Sequence, residues 1–262
     1  MAWPRIEDRR ILAGLLISLV LLAWWALWLW GKSPYGHLLL HGGNMEHMVH
    51  MGAAQSPLFF AGLFVLGWTL MTVAMMLPAS SPLILLFHRL VRDRRYAGRL
   101  VALLITGYLT VWILFGMLVH VLNWTARSAV RAAPWLSDNP WLLGSAILLV
   151  AGLYQFSSLK YSCLDKCRSP MTFIVERWRG GNETAQSLRL GIDHGVFCVG
   201  CCWSLMLLMF VVGTGSLGWM LLLGLVMAAE KNLPWGRRLS APLGALLIVG
   251  AAVVVLTRIR SG

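Results

Sequence analysis

Apolar residues in this chain come in long blocks separated by short polar stretches. The blocks run approximately over 11–30, 58–78, 100–122, 141–159, 195–213, 216–230 and 240–257. A bilayer core about 30 Å thick needs about 20 apolar residues at 1.5 Å per helical residue. Several blocks reach that length without an Asp, Glu, Lys or Arg. The pattern predicts an all-α, polytopic transmembrane helical bundle of about seven spans. The sixth block is short, and Gly213-Thr214-Gly215-Ser216 before it suits a tight hairpin or re-entrant turn. A helix is expected to start at Ser81-Pro82, because serine caps well and proline tolerates the first helical position. The longest polar stretch, 160–194, predicts a short interfacial helix over Met171 to Arg179, with a hinge at Gly180-Gly181.

Composition agrees with the blocks. Of 262 residues, 58% are hydrophobic and 12% charged, and the mean hydropathy is +0.72. Soluble domains carry about a quarter charged residues. The net charge of +12 does not indicate nucleic acid, because neither a basic groove nor a stacking platform accompanies it. Lys and Arg instead alternate between loops. Seventeen lie on the side of the N-terminus and five on the other, which orients the N-terminus to the cytoplasm and the C-terminus outside. The expected location is the inner (plasma) membrane, multi-pass. Ile11 to Trp30 is too long for a signal-peptide core and ends in Trp24, Trp25, Trp28 and Trp30, so it reads as a retained signal anchor. The expected organisation is a signal-anchor span and extracytoplasmic loop over 1–57, followed by a six-span core over 58–262.

No charged residue lies at the centre of a block, which counts against a proton pump or a charge-lined channel. The nearest exception, Glu230-Lys231, reads as a pair snorkelling at the inner interface. The candidate chemistry is carried by sulfur. At about 100° per helical residue, with Cys198 as origin, His194 falls at about −40°, Cys201 at −60°, Cys202 at +40° and Met209 at +20°, all on one face. Cys163 and Cys167, four apart, share a face before Pro170. Met71, Met75 and Met76 close the second block on the same membrane side. Thiolate and thioether select monovalent copper, with zinc the other candidate. Five cysteines on a reducing side argue for ligation rather than a disulfide framework. Taken singly, each cysteine or methionine is an ordinary apolar filler; the convergence of three segments is what points to a site. Between the first two spans, His37, His41, His47, His50, Met45, Met48 and Met51 fall within fifteen residues. That composition suits copper capture in an oxidising compartment and equally suits a solvated loop. His120 reads as a packed or interfacial residue.

Several motifs resemble a known family. They are Trp68-x-x-Met71-x-x-Ala74-Met75-Met76-Leu77-Pro78, Tyr108-x-x-x-Trp112, Ala151-Gly152-x-Tyr154-Gln155 and Leu159-Lys160-x-x-Cys163-Leu164-x-x-Cys167-Arg168-x-Pro170. Gly195-x-x-Cys198-x-Gly200-Cys201-Cys202-Trp203 and Glu230-Lys231 complete the set. The chain from about 58 to 257 resembles the bacterial domain of unknown function 2182 family, described as predicted metal-binding integral membrane proteins. The resemblance implies metal binding and a membrane setting, and nothing about the His/Met loop.

Three functions remain open on these residues. The first is a membrane protein that captures, relays, inserts or transports copper through Cys, Met and His ligands. The second is a membrane thiol–disulfide oxidoreductase using Cys198-x-x-Cys201 with Cys163 and Cys167. The third is an assembly partner of another membrane complex. The residues name no catalytic set and argue against an enzyme more than for one. Expected partners are the lipid bilayer, a metal ion and a membrane or metallochaperone protein.

Overall fold

The structure, a computed structural model, describes residues 4–32, 57–139, 141–179, 181–212 and 217–261. All seven His and Met candidates between 37 and 51 lie outside the described residues, as does the 213–216 turn. Among the described residues the architecture is all-α. In chain order the helices are α1 (Pro4–Lys32), α2 (Pro57–Val91), α3 (Ala97–Ala132), a short α4 (Pro134–Asp138) and α5 (Trp141–Tyr154). They continue with α6 (Ser158–Arg168), α7 (Pro170–Arg177), α8 (Glu183–Val212), α9 (Leu217–Asn232), a 3₁₀ turn over Gly236–Leu239, and α10 (Ser240–Ser261).

Five of these helices are long and apolar enough to cross a bilayer: α1, α2, α3, α8 and α10, the last with its 3₁₀ turn. Taking α5 and α6 as one bent span makes six. The sixth expected span, α9, has 16 residues and covers about 24 Å, short of the hydrocarbon core. Leu217–Asn232 packs against α2 and α8, so the shortfall is met by protein neighbours.

Several boundaries differ from the sequence reading: α3 runs on to Ala132, and α8 already begins at Glu183, inside the stretch read as polar loop over 160–194. The second span does not stop at Pro78, and no new helix begins at Ser81-Pro82: α2 runs through both prolines. A proline inside a helix leaves the carbonyl four residues earlier without its donor. Pro78 orphans Ala74 O, which accepts from the Trp24 indole Nε1 on α1 at 3.2 Å. Pro82 orphans Pro78 O, which accepts from Ser81 Oγ at 2.8 Å. With both carbonyls satisfied, the helix continues. The fourth span does not run straight through 159; the chain breaks after Tyr154 and turns by 63° into α6. Ser157 caps the new helix, accepting from Lys160 N at 3.1 Å.

The interfacial helix expected over 171–179 is α7. Its position rests on burial of Phe173 and Ile174 more than on Lys166–Glu176 at 3.1 Å, since exposed pairs contribute little. Hydrogen bonding from Lys166, helped by Arg177, holds the Glu176 carboxyl below its ordinary value.

The core crossing is α3 on α8. It is close because Gly107 and Gly191 face each other: a Cβ on Gly191 would meet the Leu104 backbone, with its carbonyl carbon at 2.8 Å, and one on Gly107 would meet Ile192 N at 3.0 Å. Small residues let membrane helices approach in this way. Gly191→Leu is expected to destabilise by about 1–3 kcal/mol through overpacking, read as a lowered thermal midpoint in detergent. An unchanged midpoint would mean that the crossing is looser than described. Tyr108 and Trp112 of α3 are both buried, and Tyr108 Oη lies 3.2 Å from Cys198 Sγ of α8.

Candidate metal centre

Cys198, Cys201 and Cys202 lie on α8 and are buried. Their shared face does not point all three at one partner on the neighbouring helices. Cys201 Sγ approaches Cys167 Sγ of α6 at 4.0 Å, while Cys202 Sγ approaches Met76 Sδ of α2 at 3.8 Å. Both thiols also bond back to Cys198 O, at 3.1 Å and 2.7 Å. Cys198 Sγ lies between Lys231 Nζ at 2.8 Å and Tyr108 Oη at 3.2 Å. Cys163 packs against Gly200, where a side chain would displace its sulfur, and the Tyr154 hydroxyl donates to the Gly200 carbonyl. All five cysteines are free.

With metal–sulfur bonds of about 2.3 Å, sulfurs 3.8 and 4.0 Å apart subtend roughly 110–120° at one ion. Each separation is one that two sulfurs on a single ion would have. Among the described residues no three of His, Cys, Asp and Glu converge as one metal-holding group. The sulfur approaches are pairwise, and one is completed by a thioether. Such a sparse, soft donor set suits monovalent copper better than zinc, whose structural sites take four ligands.

The remaining candidates divide. Met71 and Met75 are buried on α2, Met75 over Gly224 of α9. His194 is buried, its Nε2 at 3.3 Å from Ser80 Oγ, between Tyr108 and Phe173 with ring centroids at 5.6 and 5.7 Å. Its Nδ1 has no hydrogen-bond partner among the described residues. His120 packs on Phe64, centroids 4.5 Å apart.

The reading of Glu230-Lys231 as a snorkelling pair is wrong. Glu230 is 2% and Lys231 6% exposed, and Lys160 is fully buried. Lys160 Nζ reaches Glu230 Oε1 and Oε2 at 2.8 and 3.0 Å and also donates to Gln155 Oε1. Ser240 Oγ donates to Glu230 at 2.7 Å. Arg168 donates to the carbonyls of Glu230 and Pro234. These bonds tie α6, α9 and α10 together and turn Lys231 inward onto sulfur. Sequence reasoning missed Lys160, Ser240 and the thiol-facing role of Lys231; the only available signal was charge at the ends of apolar blocks, which interfacial anchors also give.

A cleft of about 460 Å³ opens between α7 and the start of α8, lined by Glu176, Arg177, Arg179, Gln186, Arg189, Leu190 and Asp193. No cysteine lines it, so it is not the sulfur site.

The family described as PpoB2, copper chaperone, matches residues 65–254. The chain belongs to this copper-chaperone family. No curated protein and no solved structure matches. The PpoB2 match covers all five cysteines, Met71, Met75, Met76, Tyr108, Lys160, Glu230 and Lys231, and excludes α1 and the His/Met stretch over 37–51. It supports the metal-binding side of the resemblance drawn from the motifs, in a copper-related form, and does not carry the domain of unknown function 2182 label.

Proposed function

We propose that this chain is a multi-pass protein of the inner membrane that binds monovalent copper as cargo on buried sulfurs and passes it to a protein partner. The observation that carries the reading is the pair of sulfur approaches, Cys167–Cys201 at 4.0 Å and Cys202–Met76 at 3.8 Å, set one on each side of Cys198. Membership of a copper-chaperone family supports copper as the ion. Five long apolar helices support the membrane setting, and the distribution of Lys and Arg supports a cytoplasmic N-terminus. In this reading Cys163 backs the cluster from α6, Met71 and Met75 extend the thioether supply along α2, and His194 orients Tyr108 by ring stacking. His37, His41, His47, His50, Met45, Met48 and Met51 form a collecting segment outside the membrane.

The test is metal stoichiometry of purified, reduced protein titrated anaerobically with Cu(I), against the Cys198→Ser/Cys201→Ser/Cys202→Ser variant. At least one equivalent is expected in the native chain, with its loss in the variant. Equal binding by both would end the proposal. The Cys167–Cys201 approach also meets the first requirement of a redox dithiol. A copper-independent mixed disulfide with a partner would favour that second reading.

A further inference from the structure

Lys231 is an unexpected neighbour for a cation site. Its ammonium nitrogen lies 2.8 Å from Cys198 Sγ, 3.9 Å from Cys202 Sγ and 4.0 Å from Met76 Sδ. It is buried, and its place is fixed from the chain neighbour: Glu230 is locked by Lys160 and Ser240, which pins the end of α9. The Glu230 carboxylate is already balanced by Lys160, and Lys231 Nζ turns instead to the sulfurs of Cys198, Cys202 and Met76, with Tyr108 and His194 nearby.

We propose that Lys231 sets the charge class of the cargo, making the Cys198–Cys202–Met76 trio a site for monovalent soft cations and closing it to divalent ones. The argument rests on the copper reading above and on formal charge. Two thiolates, one thioether, one ammonium and one monovalent ion sum to zero. The same set around a divalent ion carries an uncompensated positive charge, and a buried net charge is strongly disfavoured where water is excluded. Without the lysine the preference inverts: two thiolates and a divalent ion are neutral, while the monovalent complex is left anionic. Thiolate softness alone does not give this discrimination, because zinc binds thiolates well. The second sulfur pair, Cys167–Cys201, meets between α6 and α8 and is not part of this trio.

The test compares full-length native protein with Lys231→Met and Lys231→Arg, each in detergent with reductant, using Ag(I) and Cu(I) as monovalent probes and Zn(II) as the divalent one. Competition against chromophoric chelators gives the affinity of each. Lys231→Met is expected to reduce the monovalent-to-divalent affinity ratio at least tenfold, and Lys231→Arg to keep it. An unchanged ratio in Lys231→Met, with copper still bound, overturns this inference and leaves the copper reading standing. Absence of any Cu(I) or Ag(I) binding by the native chain overturns both. If the methionine variant does not fold, the native protein decides: bound Ag(I) should withstand a thousandfold excess of Zn(II), and displacement by zinc sinks the proposal.

Discussion

Glu230→Ala is expected to cost about 3–5 kcal/mol of stability, the effect of stranding one member of a buried charge pair. Lys160 has no exposed surface and would keep only the Gln155 side-chain oxygen as a partner. Ser240 would lose its acceptor. Three helices meet at this carboxylate, so the loss should be cooperative: a lowered thermal midpoint together with faster proteolysis near the α9–α10 junction. The Lys160→Met/Glu230→Met double variant should recover most of the stability, because an apolar pair of similar volume needs no compensation. Tryptophan fluorescence melts in one detergent give the comparison. A Glu230→Ala midpoint within measurement error of the native protein would mean that the pair is hydrated and that Lys231 is not held as described.

The bundle was legible because the length of an apolar block is a local property: each long block is helical, the fourth broken after Tyr154. What escaped was non-local. Whether Pro78 ends a helix depends on whether Ala74 O finds another donor, and that donor, Trp24, lies fifty residues away. The turn after Tyr154 carries no glycine or proline; Gln155 Oε1 there accepts from Lys160, which is itself paired with Glu230 of α9. The block that forms α9 was legible as apolar and short, but not its place beside α2 and α8, which relieves it of the need to cross alone.

The sulfur site divides in the same way. Helical phase put Cys198, Cys201 and Cys202 on one face, and all three are buried there. Phase cannot say that the face fans out to four neighbours: Lys231 and Tyr108 for Cys198, Cys167 for Cys201 and Met76 for Cys202. Charge placement misled most. A lysine at the end of an apolar block snorkels if lipid surrounds it and turns inward if a neighbouring carboxylate is already locked. Glu230 is locked by Lys160 from α6, seventy positions earlier, a fact absent from the local sequence.

Copper loading is expected to slow alkylation of Cys167 by roughly a hundredfold at free Cu(I) about a hundred times its dissociation constant, because only the unliganded thiol reacts. Cys167 is the useful reporter because it is only half-buried while the three α8 thiols are buried. Its protection should come from an ion shared with Cys201, whose sulfur lies 4.0 Å away. In Cys201→Ser the protection should vanish even though the serine leaves Cys167 no less accessible. In Cys202→Ser it should persist, because Cys202 turns to Met76 on the opposite side of the helix turn. Mass spectrometry of labelled protein at timed intervals, with and without Cu(I), separates these cases. Protection that survives Cys201→Ser, or fails in Cys202→Ser, would show that the ion is not held between α6 and α8, and the sulfur pair nearest the end of the bundle would have to be read as packing alone.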